Sequence, residues 1–374
     1  ADNIAIGYAA LLNHTTGGNN IAIGKNTMFD TDAGSTSLGS EHNIFIGSSA
    51  GGGVWADAAS NYNVGIGNYS MDAALNGALN NTALGHYTLS SLTEGDSNVA
   101  IGYNAGGSLT TGGTNILIGR NAGSSGTDLA YSVIIGTYAG DAINTNNSQG
   151  SVLIGYEAGT NLTDGVNSLI GYYAGRYLST QGYNTMYGYE VGQYMNGSSN
   201  TFIGYYAGRG SSTSAPYGNG GNNVALGREA LKAISSGSYN VAIGRDSLKI
   251  ATDGDHNIAL GYSSGVALTS GDDNVLIGKN TAINLSTGTN NIAIGENALY
   301  LENSGTYAIA IGYRAGYKNR ISGTNYNTFM GYNAGREVTT GNHNTFLGNH
   351  AGYGVDGSDA DNNVAIGSYS LVNI

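Results

Sequence analysis

The sequence contains no cysteine and only one proline, Pro216, in 374 residues. Without cysteine there are no disulfide staples and no thiolate-held zinc, and a reducing or an oxidising compartment suits the chain equally. Charge is scarce as well: 10% of residues are charged, and the 13 Lys and Arg are scattered with no basic run. At a net charge of −12 the chain lacks the clustered cations that neutralise phosphates, so nucleic acid is not an expected partner. No stretch reaches the roughly 18 consecutive apolar residues of a membrane-spanning helix. No secretory leader is visible, and Ala1 leads almost directly into the first repeated motif, as expected of a processed or excerpted segment.

What is present in excess is glycine, 63 residues. There is no Gly-X-Y period, which excludes collagen, and an apolar content of 40% argues against simple disorder. Much of the glycine belongs to a pentapeptide close to Asn-Ile-Ala-Ile-Gly that recurs 21 times, from Asn3-Ile4-Ala5-Ile6-Gly7 to Asn363 through Gly367. Eleven of the 20 intervals between motif glycines are 17 residues, and that period is unbroken from Gly227 to Gly312. A unit this short cannot bury an apolar face alone, so it must stack on its neighbours.

The columns of the repeat predict how it stacks. With the motif glycine as position 0, position −1 is Ile, Leu or Met in 20 copies, Tyr187 being the exception, and −3 is Ile or Val in most. Alternate residues of a strand share a face, so −3 and −1 point the same way. Position −2 is apolar or glycine in every copy, never charged and never Asn. A short run apolar on both faces implies a strand covered on both sides. Where −3 is Thr or Ser, −2 is usually large, as in Ser168-Leu169, Thr185-Met186, Thr201-Phe202, Thr328-Phe329 and Thr345-Phe346. Leu169, Met186, Phe202, Phe329 and Phe346 are therefore the candidates for an assembly interface.

Position −4 is Asn in 18 copies, the exceptions being Ser132, Ser151 and Ala308. At the roughly 4.8 Å spacing of stacked strands, Asn98, Asn115, Asn240, Asn257, Asn274 and Asn291 would form an amide ladder. Position 0 never departs from glycine, which implies a positive φ or a close backbone approach. Position +3 is small, and +4 is mostly Gly or Leu. The expected fold is all-β: a parallel β-solenoid, or β-roll, of about 21 coils of about 17 residues. It reads as one array over 1–374, roughly 100 Å long, trimeric or otherwise assembled. Insertions fall at about 29–42, 51–62 and 209–222.

Asn-x-Ala-Ile-Gly followed by a small residue at +3 resembles the β-roll head repeats of trimeric autotransporter adhesins. The form Asn-Thr-Phe-Leu-Gly with Thr-Thr-Gly before it, as between Gly331 and Gly348, is similar to repeats of phage tail-fibre and related surface proteins. The resemblance covers nearly the whole chain. It implies three chains around an axis, each strand covered inside by its own coil and outside by partner chains. This chain departs from the adhesin pattern in its longer period and in lacking a neck, stalk, anchor or chaperone domain.

Two features invite a ligand. The insertions hold Asp30, Asp32, Glu41, Trp55 and Ala215-Pro216-Tyr217 on one edge of the stack, where solenoids often bind, although tolerated surface loops are the alternative. Tyrosine recurs just after the motif glycine, with Tyr156, Tyr172, Tyr189 and Tyr205 at +1 of four successive coils. These four, with Trp55 and Tyr217, are the ligand-binding candidates, for a surface glycan or a host receptor; the alternative is a ladder that stabilises the stack.

Other chemistry finds little support. Gly24-Lys25 and Gly278-Lys279 are followed by Asn, so no phosphate loop of the Gly-Lys-Ser/Thr kind exists. His14, His42, His86, His256, His343 and His350 lack metal-pair spacing, and Asp255 and Asp272 in adjacent coils mark at most a weak Ca²⁺ site. No catalytic, cofactor or metal residue is expected. The expected function is a non-enzymatic fibrous protein of the cell surface, extracellular space or virion: a rigid shaft or head for adhesion or receptor display, self-associating as a homotrimer. The alternative is a filament subunit joining end to end through open solenoid ends.

Overall fold

In the computed structural model, residues 2–31, 39–55, 58–144, 148–211, 217–354, 359 and 361–373 are described. Asp32, Ala215 and Pro216 of the insertions lie outside them. The chain forms two compact units, Ala1–Tyr183 and Asn184–Ile374. Both are parallel β-solenoids, and the described residues contain no α-helix.

Each motif copy forms one strand of three or four residues. In the first unit these run from Ile4–Ile6 to Asn167–Ile170, and in the second from Asn184–Tyr187 to Val364–Ile366. Within a unit, each strand pairs in parallel with the next copy of itself in unshifted register: Ile4 faces Ile21, Ala5 faces Ala22, and Ile6 faces Ile23. The same register holds across an insertion, where Ile21 faces Ile44. Hydrogen bonds continue past the strands, so the Gly24 N–H donates to the Ile6 carbonyl at 2.8 Å and the Asn26 N–H to the Tyr8 carbonyl at 2.8 Å. Within each unit, successive coils are thus tied together around much of their perimeter, as the short repeats require.

The invariant glycine has a steric cause. At Gly24, φ is +140°, and a Cβ there would lie 2.4 Å from the carbonyl oxygen of Gly47 in the next coil. Neither the dihedral nor the distance admits a side chain.

The interior is thin, and most coils place one large residue between positions −2 and +4. Position −2 is fully buried along the stack, from Ala22 and Phe45 to Phe329 and Phe346. Its neighbour inside the coil is +4. Where −2 is Phe202, +4 is Gly208, whose Cβ would fall 2.3 Å from the Phe202 ring; the same holds for Phe346 and Gly352 at 2.1 Å. Where −2 shrinks to Ala83 or Ala225, +4 becomes Leu89 or Leu231, both fully buried. Bulk is therefore traded between −2 and +4 across the interior, as close packing requires, and not between −2 and the outward −3. A third buried column at +7, including Leu92, Leu109, Leu268 and Leu285, closes the far side.

Candidate functional site

The surface that stands out is the outer face of the motif sheet. Because −2 points in, −3 and −1 point out, and the coil has nothing to lay over them. Leu84 is 46% exposed, Ile116 40%, Ile203 40%, Ile243 38% and Ile258 38%. Within a unit, stacking in register turns these side chains into two adjacent columns, mostly Ile, Val and Leu with interspersed Thr, without a charged residue. At roughly 100 Å² of apolar surface per coil, a unit presents on the order of 1,000 Å², beyond the few hundred Å² of ordinary exposed patches.

This placement corrects the interface expected at −2. Leu169, Met186, Phe202, Phe329 and Phe346 are fully buried by their own chain, so they build the core, and the surface open to a partner is the −3/−1 wall. The strand is apolar on both faces in sequence. Only the +4 and +7 residues, folded back from later in the coil, determine which face is inside.

Behind the wall runs a buried amide ladder. Asn257 Oδ1 accepts from both the backbone N–H of Asn274 at 3.1 Å and its Nδ2 at 2.9 Å. Asn257 Nδ2 in turn donates to Asn240 Oδ1 at 3.1 Å and to the Gly271 carbonyl at 2.8 Å. Asn274 and Asn291 repeat the pattern, as do Asn98 and Asn115 in the first unit. Each amide thus serves the coils on both sides and meets its own hydrogen-bonding needs out of water. At Ala308 the side chain is missing, and Asn325 substitutes for it, its Oδ1 accepting the Asn327 N–H at 3.2 Å.

Beside that substitution lies a polar residue that the sequence reading missed. Glu302 occupies the +7 column between Leu285 and Asn319, and it is fully buried. Its carboxylate accepts from the N–H groups of Asn303 at 3.0 Å and Gly305 at 2.9 Å, and from Asn325 Nδ2 at 2.9 Å. Burial nevertheless pushes its pKa above the ordinary value, the hydrogen bonds working against that shift. The signal in the sequence was a single Glu in a column whose other members are mostly apolar, with Leu the commonest.

The ligand candidates fall in three environments. Trp55 is fully buried, packed edge-on against Phe45 with ring centroids 5.8 Å apart, so this part of the insertion folds inward and presents no indole to a ligand. Tyr217 stacks on Tyr194 at 6.3 Å. Tyr156 stacks on Tyr172 at 5.4 Å with an interplanar angle of 15°, and Tyr189 on Tyr205 at 5.4 Å and 12°. Rings laid face on face cover one face of each ring, an arrangement that favours the stabilising ladder.

Ion pairs join successive coils beside these rings. Arg176 lies 2.7 Å from Glu157 and 4.3 Å above the Tyr173 ring; Arg209 repeats the arrangement with Glu190 at 2.9 Å and Tyr206 at 4.8 Å. A hydrogen bond from Lys249 holds the Glu229 carboxyl below its ordinary pKa. Asp272 caps the backbone N–H of Asp255 at 2.8 Å, and Asp255 caps that of Ser238 at 2.6 Å, so the aspartates considered for Ca²⁺ serve as turn acceptors. Among the described residues no group of three or more His, Asp or Glu side chains converges on a common point, and no helix is long and apolar enough to cross a membrane. No protein-family model matches the chain, and none of the curated proteins compared with it is similar enough to match.

Proposed function

We propose that the chain is a non-enzymatic structural element, a rigid repeat shaft or head that associates with copies of itself and displays its repeated edges outside the cell or on a virion. The observation that carries this reading is the uncharged −3/−1 wall. A unit offers about 1,000 Å² of flat apolar surface, against the roughly 800 Å² per partner of a standard protein interface. A second copy is the partner whose shape fits best, because it carries the same flat sheet at the same coil spacing. Adhesion then follows from multivalency: edges repeated along associated chains turn weak contacts into avidity. The resemblance to adhesin heads and tail-fibre repeats supports the surface location.

Solution mass tests the reading. The parent chain should run as a defined multimer. Ile243→Lys combined with Ile258→Lys, both on the outward face, should run as a folded single chain with unchanged β circular dichroism. A parent that stays a single chain at high concentration, or a double variant whose mass equals the parent's, would refute it. Phe202→Asp is uninformative here because it places a charge in the core.

A further inference from the structure

We propose that the stacked tyrosine pairs Tyr156–Tyr172 and Tyr189–Tyr205 are sites of oxidative cross-linking, where a dityrosine bond staples one coil to the next. The pairing is set by the backbone. The Tyr173 N–H donates to the Tyr156 carbonyl at 3.0 Å, and the Tyr206 N–H to the Tyr189 carbonyl at 3.1 Å, so equivalent residues of adjacent coils stay one rung apart. Near-parallel rings 5.4 Å apart hold the two phenols side by side, so a small side-chain movement suffices to bring their ortho carbons together. All four rings are about two-fifths exposed (39–43%), which leaves them reachable by an oxidant. The two sites are built alike. Each has a second tyrosine at +2, Tyr173 or Tyr206, with ring centroids 4.1 Å and 4.0 Å from its +1 neighbour. Each also has a carboxylate at +2 of the earlier coil, Glu157 or Glu190, paired to an arginine.

The chemistry balances with hydrogen peroxide and a haem peroxidase as the oxidising system. Each phenol gives up one electron and one proton, and the two phenoxyl radicals join through their ortho carbons. Each of those carbons then releases its hydrogen as a proton, and each oxygen regains one, which restores both aromatic rings. The pair has lost two hydrogen atoms, and one peroxide has become two waters. At the first site the Tyr156 hydroxyl is hydrogen-bonded to Glu157, so a carboxylate stands ready for the departing proton. Two dilute radicals rarely meet in solution. Pre-stacked partners remove that encounter, and this gain is what orientation contributes in general.

The test is peroxidase and hydrogen peroxide applied to the intact purified chain, read by dityrosine emission and by peptide mapping. Joined peptides lighter by two hydrogens should link Tyr156 to Tyr172 and Tyr189 to Tyr205. Their yield should exceed that at the exposed Tyr8 and Tyr131 on the order of tenfold, as prealigned partners should. Tyr172→Phe should abolish the first link and leave the second, and Tyr205→Phe the reverse; both keep an aromatic ring in the stack. The same oxidation in urea should erase the preference. Equal yields at Tyr8 and Tyr131, an unchanged pattern in urea, or links formed only between chains would each overturn the proposal.

Discussion

Replacing Asn257 with alanine isolates what the amide ladder contributes. In the parent, Asn257 Oδ1 is the acceptor for the backbone N–H of Asn274, and Asn257 Nδ2 is the donor to the Gly271 carbonyl. Truncation leaves both groups buried with no partner in the fold. Asn240 Oδ1 keeps the Asn257 backbone N–H at 2.9 Å, and Asn274 Nδ2 keeps the Gly288 carbonyl at 2.8 Å, so only two groups are orphaned. At roughly 1–3 kcal/mol each, the loss should be about 2–6 kcal/mol, nearer the low end if water enters the space left by the amide. Urea unfolding followed by circular dichroism, at one protein concentration, measures the shift in midpoint. The chain carries its own control. The Ala308 coil already lacks the amide, and Asn325 supplies the missing acceptor, so Asn325→Ala should be destabilising although Asn325 lies outside the ladder column. Asn257→Asp keeps the acceptor and loses the donor while burying a charge; it should be worse than alanine at neutral pH and should recover on acidification, when the protonated acid can donate to Gly271. If Asn257→Ala moved the midpoint no more than an exposed substitution does, the ladder would be incidental to stability.

Three further outcomes follow from the same packing. Because burial holds the Glu302 carboxyl above its ordinary value near 4.5, its contribution favours the fold below that pH and is lost as pH rises through the folded value. Glu302→Gln should therefore flatten the decline relative to the parent between mildly acidic and neutral pH; equal slopes for the two proteins would contradict this, and comparing them cancels groups such as Glu229 that slope the other way. Ala225→Leu should overpack the coil by about 1–3 kcal/mol, and Leu231→Gly should open a cavity costing about 2–5 kcal/mol. Combined, the two recreate the large −2 and glycine +4 seen at Phe202 and Gly208, so a double-mutant cycle should give a strongly favourable coupling; additivity would mean that the two positions do not share space. Gly24→Ala should destabilise by several kcal/mol through both its dihedral and its contact with Gly47, checked by the same urea midpoint.

Several elements were legible in the residues themselves. The 17-residue period required stacking, the glycine column pointed to a positive φ or a close backbone approach, and the asparagine column pointed to an amide ladder along the stack. Each follows from a property of one position repeated many times. The candidate site was legible only in part. Ile243 and Phe202 look equally apolar in the strand, and the trade of bulk noticed beside −3 has its partner at +4, across the interior. Trp55 read as an exposed feature of an insertion, and Glu302 did not register at all, because each is a single residue whose environment is made by residues from other coils.

Sequence alone determined that this chain is a parallel stack of short coils in fixed register, since no unit of this size can hide its own apolar residues and every copy carries the same hydrogen-bonding columns. Tertiary structure decided which face of the strand is core and which is wall. That choice rests on the volume that +4 and +7 supply when the coil closes, a quantity shared among residues far apart in the repeat and carried by none of them alone.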